Sequence, residues 1–223
     1  MEVTVLTWNL FHGRAAPPAG RGLLREFASA LAGWEWDVAL LQEVPPWWPE
    51  PLATATAAQA RSVLTSRNSL SAARTAIARR RPDLLKANGG GANTILARET
   101  ISAHAHERVR LWTERRLAHG VALRDGTLWI ANVHASTHPP ARVQEDVAST
   151  ASALERWSGG QTAVLGGDLN LREPHVTGFE VAASHHVDHL LVRGLAATGP
   201  GEVLDRGALS DHAPLRVRLS GVR

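Results

Sequence analysis

Ala163-Val164-Leu165-Gly166-Gly167-Asp168-Leu169-Asn170 is the stretch on which the reading of this 223-residue chain turns. A short apolar run reaches two glycines, then an Asp and an Asn two positions apart. Such a run, bounded by turn residues, predicts a buried strand. Side chains alternate along a strand, so Asp168 and Asn170 share a face if the strand continues. A carboxylate and a carboxamide at a strand end can hold a water or a phosphate oxygen, and the two glycines let a substrate come close. Asp and Asn are also ordinary turn residues, and the rest of the chain has to decide between the two readings.

Outward from this stretch, Glu2 to Asn9 alternates into a strand ending on Thr7-Trp8-Asn9, and Asp37 to Leu41 is a buried strand ending at Gln42-Glu43. Between them Leu23, Leu24, Phe27, Ala30 and Leu31 keep helical spacing. Pro45, Pro46, Pro49 and Pro51 interrupt the pattern around Trp47 and Trp48, and the Ala/Arg/Ser-rich run Leu52 to Leu85 predicts mostly helix. After Gly89-Gly90-Gly91, strands are expected at Asn93–Ala97, Ala103–Trp112, Gly120–Leu123 and Thr127–His134, the last two joined by the hairpin signal Asp125-Gly126. His138-Pro139-Pro140 opens a helix to about Trp157. Val187–Val192, Val203–Asp205 and Pro214–Leu219 read as closing strands. There is no internal repeat and no linker, so one domain over residues 1–223 is expected, with an Arg-rich helical insertion around 47–88. Hairpin-paired strands with helices between some of them predict an α+β sandwich, two packed sheets with helices outside.

With 44% hydrophobic residues the chain can bury a core without staples. It has no cysteine, which excludes disulfides, zinc–thiolate sites and thiol nucleophiles. Met1-Glu2-Val3-Thr4-Val5 lacks the basic and apolar regions of a leader, and no stretch approaches the ~18 apolar residues of a membrane span. A cytoplasmic monomer is expected. The net charge is +3 and the pI about 10.7, because Lys86 is the only lysine and the other basic residues are arginines. Arginine suits phosphate recognition. It is equally the product of a GC-rich genome, which also accounts for the many alanines, so charge alone does not point to nucleic acid.

Several expected strands finish on residues an apolar core does not need: Asn9, Glu43, Asn132 with His134, Asp168 with Asn170, and Asp188, while Ser210-Asp211-His212 precedes the last. Singly each has a bland reading as a cap, a turn or a satisfied core residue. Together they are simplest to understand as ends that converge. Glu43 supplies a hard carboxylate for Mg²⁺ or Mn²⁺. Asn9, Asp168, Asn170 and Asp211 can complete a shell or position a water. His212 with a carboxylate partner can serve as a base or a cationic clamp. Phosphoryl transfer needs little more than a metal, an aligned water and charge stabilisation.

Thr7-Trp8-Asn9-Leu10, Leu41-Gln42-Glu43, Asn132-Val133-His134, Gly167-Asp168-Leu169-Asn170, Val187-Asp188-His189 and Ser210-Asp211-His212-Ala213-Pro214 together resemble, in content and order, the endonuclease/exonuclease/phosphatase superfamily. The resemblance implies the DNase I-like fold, a four-layer α/β/β/α sandwich, and hydrolysis of phosphoesters with Mg²⁺ or Mn²⁺. It also implies roles. Glu43 would be the principal metal ligand, helped by Asn9, with Asp211 on the metal side. Asp168 would align or deprotonate the attacking water and Asn170 bind phosphate. His212, oriented by Asp188, would contact the scissile phosphate. His134 would stand where DNase I-like members have a catalytic histidine. The glutamate that pairs with that histidine is not identifiable, Glu50 and Glu99 being unmotivated by any motif. Gly89 to Leu96 resembles the family's glycine–asparagine strand entry, which makes Asn93 a substrate-binding candidate alongside Asn132, and Arg116 is placed to meet phosphate.

Three functions compete: a nuclease acting on phosphodiesters of nucleic acid, a phosphatase or phosphodiesterase on a small or lipid phosphoester, and a non-catalytic binding module. Retention of Glu43, Asp168, Asn170 and His212 argues against the module. The insertion carries Arg61, Arg67, Arg74, Arg79, Arg80, Arg81 and Lys86, either a solvated helical face or a basic flap over the site. Trp47 and Trp48 could stack on bases, although packing under the proline loop is the better expectation.

Overall fold

The computed structural model describes residues 1–65, 75–77, 91–110 and 115–222. One sheet contains β1 (Glu2–Asn9), β2 (Val38–Val44), β3 (Gln59–Leu64) and β4 (Ala92–Ala97), joined late in the chain by β11 (Leu195–Ala197), β12 (Glu202–Val203) and β13 (Leu215–Gly221). The other contains β5 (Ala103–Arg110), β6 (Arg116–Leu123), β7 (Leu128–His134), β8 (Thr162–Asp168), β9 (Glu180–His185) and β10 (Asp188–Arg193). The first runs β11-β13-β1-β2-β4-β3, with β12 also on β13; the second runs β5-β6-β7-β8-β10-β9.

Two pairs are parallel, β1 with β2 and β7 with β8. A parallel pair needs a crossover, and helices supply both: α1 (Leu24–Gly33) for the first and α3 (Pro140–Ser158) for the second. A short α2 (Pro49–Thr56) follows β2, started by the proline at its first position. Among the described residues no helix is long and apolar enough to cross a membrane.

Period-2 alternation sorts the residues into three apolar layers. Val3, Val5, Val38, Leu40 and Ile95 of the first sheet meet Ile130, Val164, Leu190 and Val192 of the second. On the outer face of the first sheet, Leu6, Trp8, Leu41 and Leu96 pack against Phe27, Leu31 and Leu52 of the helices. Behind the second sheet, Ala131, Val133 and Leu165 lie under Val143, Val147 and Leu154 of α3. The result is the four-layer α+β sandwich expected of the DNase I-like fold. Trp48 sits in the helix-side core with its ring 5.3 Å from that of Phe27, and Trp47 packs against the same cluster.

The structure departs from the sequence pattern in three places. Gln59–Leu64 is not helix but an edge strand, paired antiparallel to β4 and fastened by Ser62 Oγ at 2.9 Å from Thr94 Oγ1. β9 and β11 escaped the reading because Glu180–His185 and Leu195–Ala197 carry little strand preference and depend on the ladders of β10 and β13. β6 begins at Arg116, earlier than expected. Of the Arg-rich insertion, Arg67, Arg74, Arg79, Arg80, Arg81 and Lys86 lie outside the described residues, as does Trp112.

Towards one end of the gap between the sheets, the inward positions change from apolar to polar. Thr7, Gln42 and Asn132 are fully buried there. Gln42 Nε2 donates to Thr7 Oγ1 at 3.1 Å and to Asn132 Oδ1 at 2.8 Å. Asn132 Nδ2 donates across the gap to the carbonyls of Leu41 and Thr94, both at 3.0 Å. Buried hydrogen bonds that cross the gap in this way fix the register of one sheet on the other, although Gln42 Oε1 is left without a partner. Asn132, expected to bind substrate, is therefore a tie between sheets.

Candidate active site

Just beyond this polar layer the strand ends open into a cleft of about 230 Å³, lined by Asn9, Phe11, His12, Arg14, Glu43, His134, Thr137, Asp168, Asn170, Asp211 and His212. Each wall has a local cause. At the end of β2 the pairing with β4 shifts between Leu41 and Val44, and Glu43 takes a left-handed backbone with φ 51°. Such an irregularity re-aims a side chain, and Glu43 lines the cleft rather than continuing the alternation.

The glycines before Asp168 do something other than admit substrate. A Cβ on Gly166 would stand 2.5 Å from Leu190 Cδ2 and 2.9 Å from Leu40 Cδ1, and one on Gly167, at φ 136°, would stand 2.0 Å from the Val133 carbonyl oxygen. They let β8 press against its neighbours and the facing sheet. β8 ends at Asp168, and Asn170 turns into the left-handed region at φ 50° instead of continuing the strand. Its backbone N–H donates to Asp168 Oδ1 at 3.2 Å and its Nδ2 to the Ala135 carbonyl at 3.0 Å. Asp168 Oδ2 accepts from Asn9 Nδ2 at 3.0 Å, a bond that joins β1 to β8.

The Ser210-Asp211-His212 loop is fastened to β1. Ser210 Oγ donates to the Asn9 carbonyl at 2.6 Å and accepts from the His212 backbone N–H at 3.1 Å. Trp8 Nε1 donates to the His212 carbonyl at 3.0 Å. So held, His212 turns Nδ1 to Asp188 Oδ2 at 2.7 Å, leaving Nε2 3.8 Å from Asp168 Oδ2. Asp188 sits opposite Asp168 in the β8–β10 ladder.

His134 Nε2 lies 3.6 Å from Asp168 Oδ2 and 4.0 Å from Glu43 Oε1. Neither glutamate considered as its partner is near: Glu99 is bound by Arg124 at 2.6 Å and Glu50 is exposed on α2. Asn93 is buried, with neither amide atom hydrogen-bonded, and is not among the residues lining the cleft. Arg116 is also buried behind it, close enough for its charge to act on Glu43 and His134. The structure thus gathers eight of the eleven candidates into one constellation around the cleft, Asp188 from behind His212, and holds Asn93, Asn132 and Arg116 back.

His12 was not anticipated. Its Nε2 stands 3.1 Å from Glu43 Oε2. It reaches the cleft through a turn at Phe11–Gly13 in which Phe11 and His12 both have positive φ, at 48° and 54°. Non-glycine residues enter that region seldom enough that hydrophobic patterning gives no sign of it.

The charges are strongly coupled. Burial, with Asp168 and Asp211 nearby, pushes Glu43 up to about 7. Burial drives His134 down to about 3 against the pull of Asp168, so this imidazole is neutral. Burial also acts to lower His212, but the hydrogen bond and charge of Asp188, with Asp168 and Asp211 behind, win and raise it to about 9. Two histidines in one cleft therefore hold opposite charge states at neutral pH.

The donor set suits a hard divalent cation. Glu43, Asp168 and Asp211 bring carboxylates together with the amide of Asn9, and burial together with the neighbouring Asp168 and Asp211 raises Glu43. Asp168, Asp188 and His212 also bring one ligand atom each within 4.8 Å of one another. There the shortest contact is already the hydrogen bond from imidazole to Asp188, so those three read better as a proton-handling group.

Residues 6–212 match the family model described as the Endonuclease/Exonuclease/phosphatase family. The chain belongs to the endonuclease/exonuclease/phosphatase family. Members of this family are phosphoester hydrolases and generally use divalent metals. No curated protein matches the sequence. Among solved structures, an endonuclease/exonuclease/phosphatase of Beutenbergia cavernae superposes with a TM-score of 0.74 at 18% identity, over 99% of this chain and 72% of that one. TDP2 of C. elegans gives 0.67 at 14%, over 98% and 75%. The mannosyl-6-phosphatase Bt3783 of Bacteroides thetaiotaomicron gives 0.69 at 15%, over 98% and 99%. At these identities the likenesses speak for the family fold.

Proposed function

We propose that this chain hydrolyses phosphodiesters of nucleic acid, assisted by Mg²⁺ or Mn²⁺. The observation that carries the reading is two hydrogen-bonded pairs side by side, Asp188–His212 at 2.7 Å and Asn9–Asp168 at 3.0 Å, with His212 Nε2 turned to the cleft 3.8 Å from Asp168 Oδ2. Cationic at neutral pH, His212 donates from Nε2 to a phosphoryl oxygen and stabilises the charge that builds there. Asp168, held through both oxygens by Asn9 and the Asn170 backbone, aligns a water and takes its proton as the water oxygen attacks phosphorus. The bond to the leaving oxygen breaks in line, and that oxygen leaves with a proton from solvent. His134 is neutral and serves as a hydrogen-bonding partner, not a cationic clamp. Glu43, Asn9 and Asp211 would hold the cation, which supplies Lewis-acid neutralisation of the phosphoryl oxygens.

Nucleic acid as the substrate is supported by the arginine-rich chemistry of the insertion and by Arg14 at the cleft wall. The small cleft, about 230 Å³, favours a second reading, a small phosphoester such as a sugar phosphate. A panel of plasmid DNA, single-stranded DNA, RNA, a chromogenic phosphodiester and a sugar phosphate, with and without Mg²⁺, separates them. Cleavage of nucleic acid that stops in EDTA and in Glu43→Ala is the expected result. Turnover confined to the sugar phosphate overturns the nucleic-acid reading, and full activity in EDTA overturns the role of the metal.

A further inference from the structure

The turn after β1 places an imidazole where the metal reading assigns only oxygen. His12 Nε2 is 3.1 Å from Glu43 Oε2, and both line the same cleft. The position is held with some rigour. Phe11 and His12 are successive non-glycine residues in left-handed conformation, and backbone of this kind persists only where its surroundings over-determine it, most often at functional sites. Here the surroundings do. The Phe11 N–H donates to Asn9 Oδ1 at 2.9 Å, Gly13 N–H to the Leu10 carbonyl at 2.7 Å, and Arg14 N–H to the Phe11 carbonyl at 3.2 Å. The Arg14 guanidinium covers the Phe11 ring at 3.8 Å. A side chain on Gly13 would stand 2.4 Å from the Trp48 ring, so the turn is seated against the helix-side core. A separation of 3.1 Å also matches two neighbouring donors around one ion whose bonds are ~2.1 Å long.

Resting on the metal reading above, we propose that His12 gives its Nε2 to the cation held by Glu43, and that this nitrogen makes the cleft prefer Mn²⁺ over Mg²⁺. Imidazole is a good ligand for first-row transition ions, whereas Mg²⁺ seeks oxygen and keeps its waters. Loss of His12 therefore weakens Mn²⁺ binding more than Mg²⁺ binding.

The test is spectroscopic and needs no turnover. Mn²⁺ is added to the full chain, bound ion is counted by electron paramagnetic resonance, and electron spin-echo modulation reports directly coordinated ¹⁴N. The wild type is expected to show ¹⁴N modulation that disappears in His12→Gln and persists in His134→Gln, the other imidazole near Glu43. Mn²⁺ affinity in His12→Gln should fall about tenfold or more and Mg²⁺ affinity much less. Bound Mn²⁺ without ¹⁴N modulation in the wild type overturns the proposal while leaving the metal reading standing. So does modulation lost only in His134→Gln. Failure of the wild type to bind Mn²⁺, with Glu43→Gln no different, overturns both.

Discussion

Asp188 Oδ2 and His212 Nδ1 meet at 2.7 Å although they belong to different sheets, Asp188 opening β10 and His212 preceding β13. The ion pair spans the mouth of the sandwich, and its charge state sets what the cleft can do.

Replacing Asp188 by Asn removes the charge that holds His212 at about 9. The His212 pKa should fall towards the ordinary 6.5, and kcat at pH 7.5 by roughly two to four orders of magnitude. The variant should lose activity as pH rises through 6–8, a range in which the wild-type imidazole stays charged. Imidazole NMR titration alongside a pH–rate profile checks this. An unchanged His212 titration would sink the dyad.

Glu43 carries a second pH signature. Its folded value, about 7, lies above the unfolded one near 4.5, so between these values the metal-free native state holds more protons than the unfolded chain. Stability from this group therefore declines as pH rises from 4.5 to 7. Glu43→Gln should flatten that decline in thermal melts without metal. For the wild type at pH 6, binding Mg²⁺ or Mn²⁺ should release close to one proton, measured by calorimetry in buffers of different ionisation enthalpy.

Asn132→Ala should cost stability rather than substrate affinity. It strips one of the acceptors from Gln42 Nε2 and removes the side-chain amide that donates to the Leu41 and Thr94 carbonyls. A loss of about 2–4 kcal/mol in urea unfolding is expected, with KM for a small phosphodiester little changed. A large rise in KM without loss of stability would return Asn132 to the substrate.

Gly167→Ala should be more severe. The new Cβ meets the Val133 carbonyl at 2.0 Å and the backbone stands at φ 136°. A loss of at least about 3 kcal/mol or failure to fold is expected, read by urea denaturation or soluble yield.

The insertion is testable through salt. Arg79→Ala, Arg80→Ala and Arg81→Ala together should flatten the salt dependence of nucleic-acid binding by up to about one unit of slope per lost phosphate contact. Turnover of a chromogenic phosphodiester should stay unchanged. An unaltered slope would make these arginines a solvated surface.

Strand ends were legible because a polar residue after an alternating run has few other reasons to be there. Asn9, Glu43, His134, Asp168 and His212 could be read that way, and all reach the cleft. Asn132 shows the limit. It shares a face with His134, but two residues along a strand is about 6.6 Å, enough to move a side chain from the cleft into the tie beneath. β3 was illegible because Ala60, Arg61 and Ser62 have no pattern of their own and the strand exists through its ladder with β4. His12 was illegible because two left-handed residues, neither of them glycine, carry it there.

The pairing of β1 with β13, from Glu2 opposite Ser220 to Thr7 opposite Leu215, has a consequence for the growing chain. On the ribosome, Asn9 and Glu43 emerge early, but β1 lacks one neighbour and the cleft lacks His212 until the residues from Ser210 to Gly221 have been made and have cleared the exit tunnel. Contacts of such long sequence separation form late. The cleft is thus among the last parts of the molecule to be assembled, complete only when β13 docks beside β1.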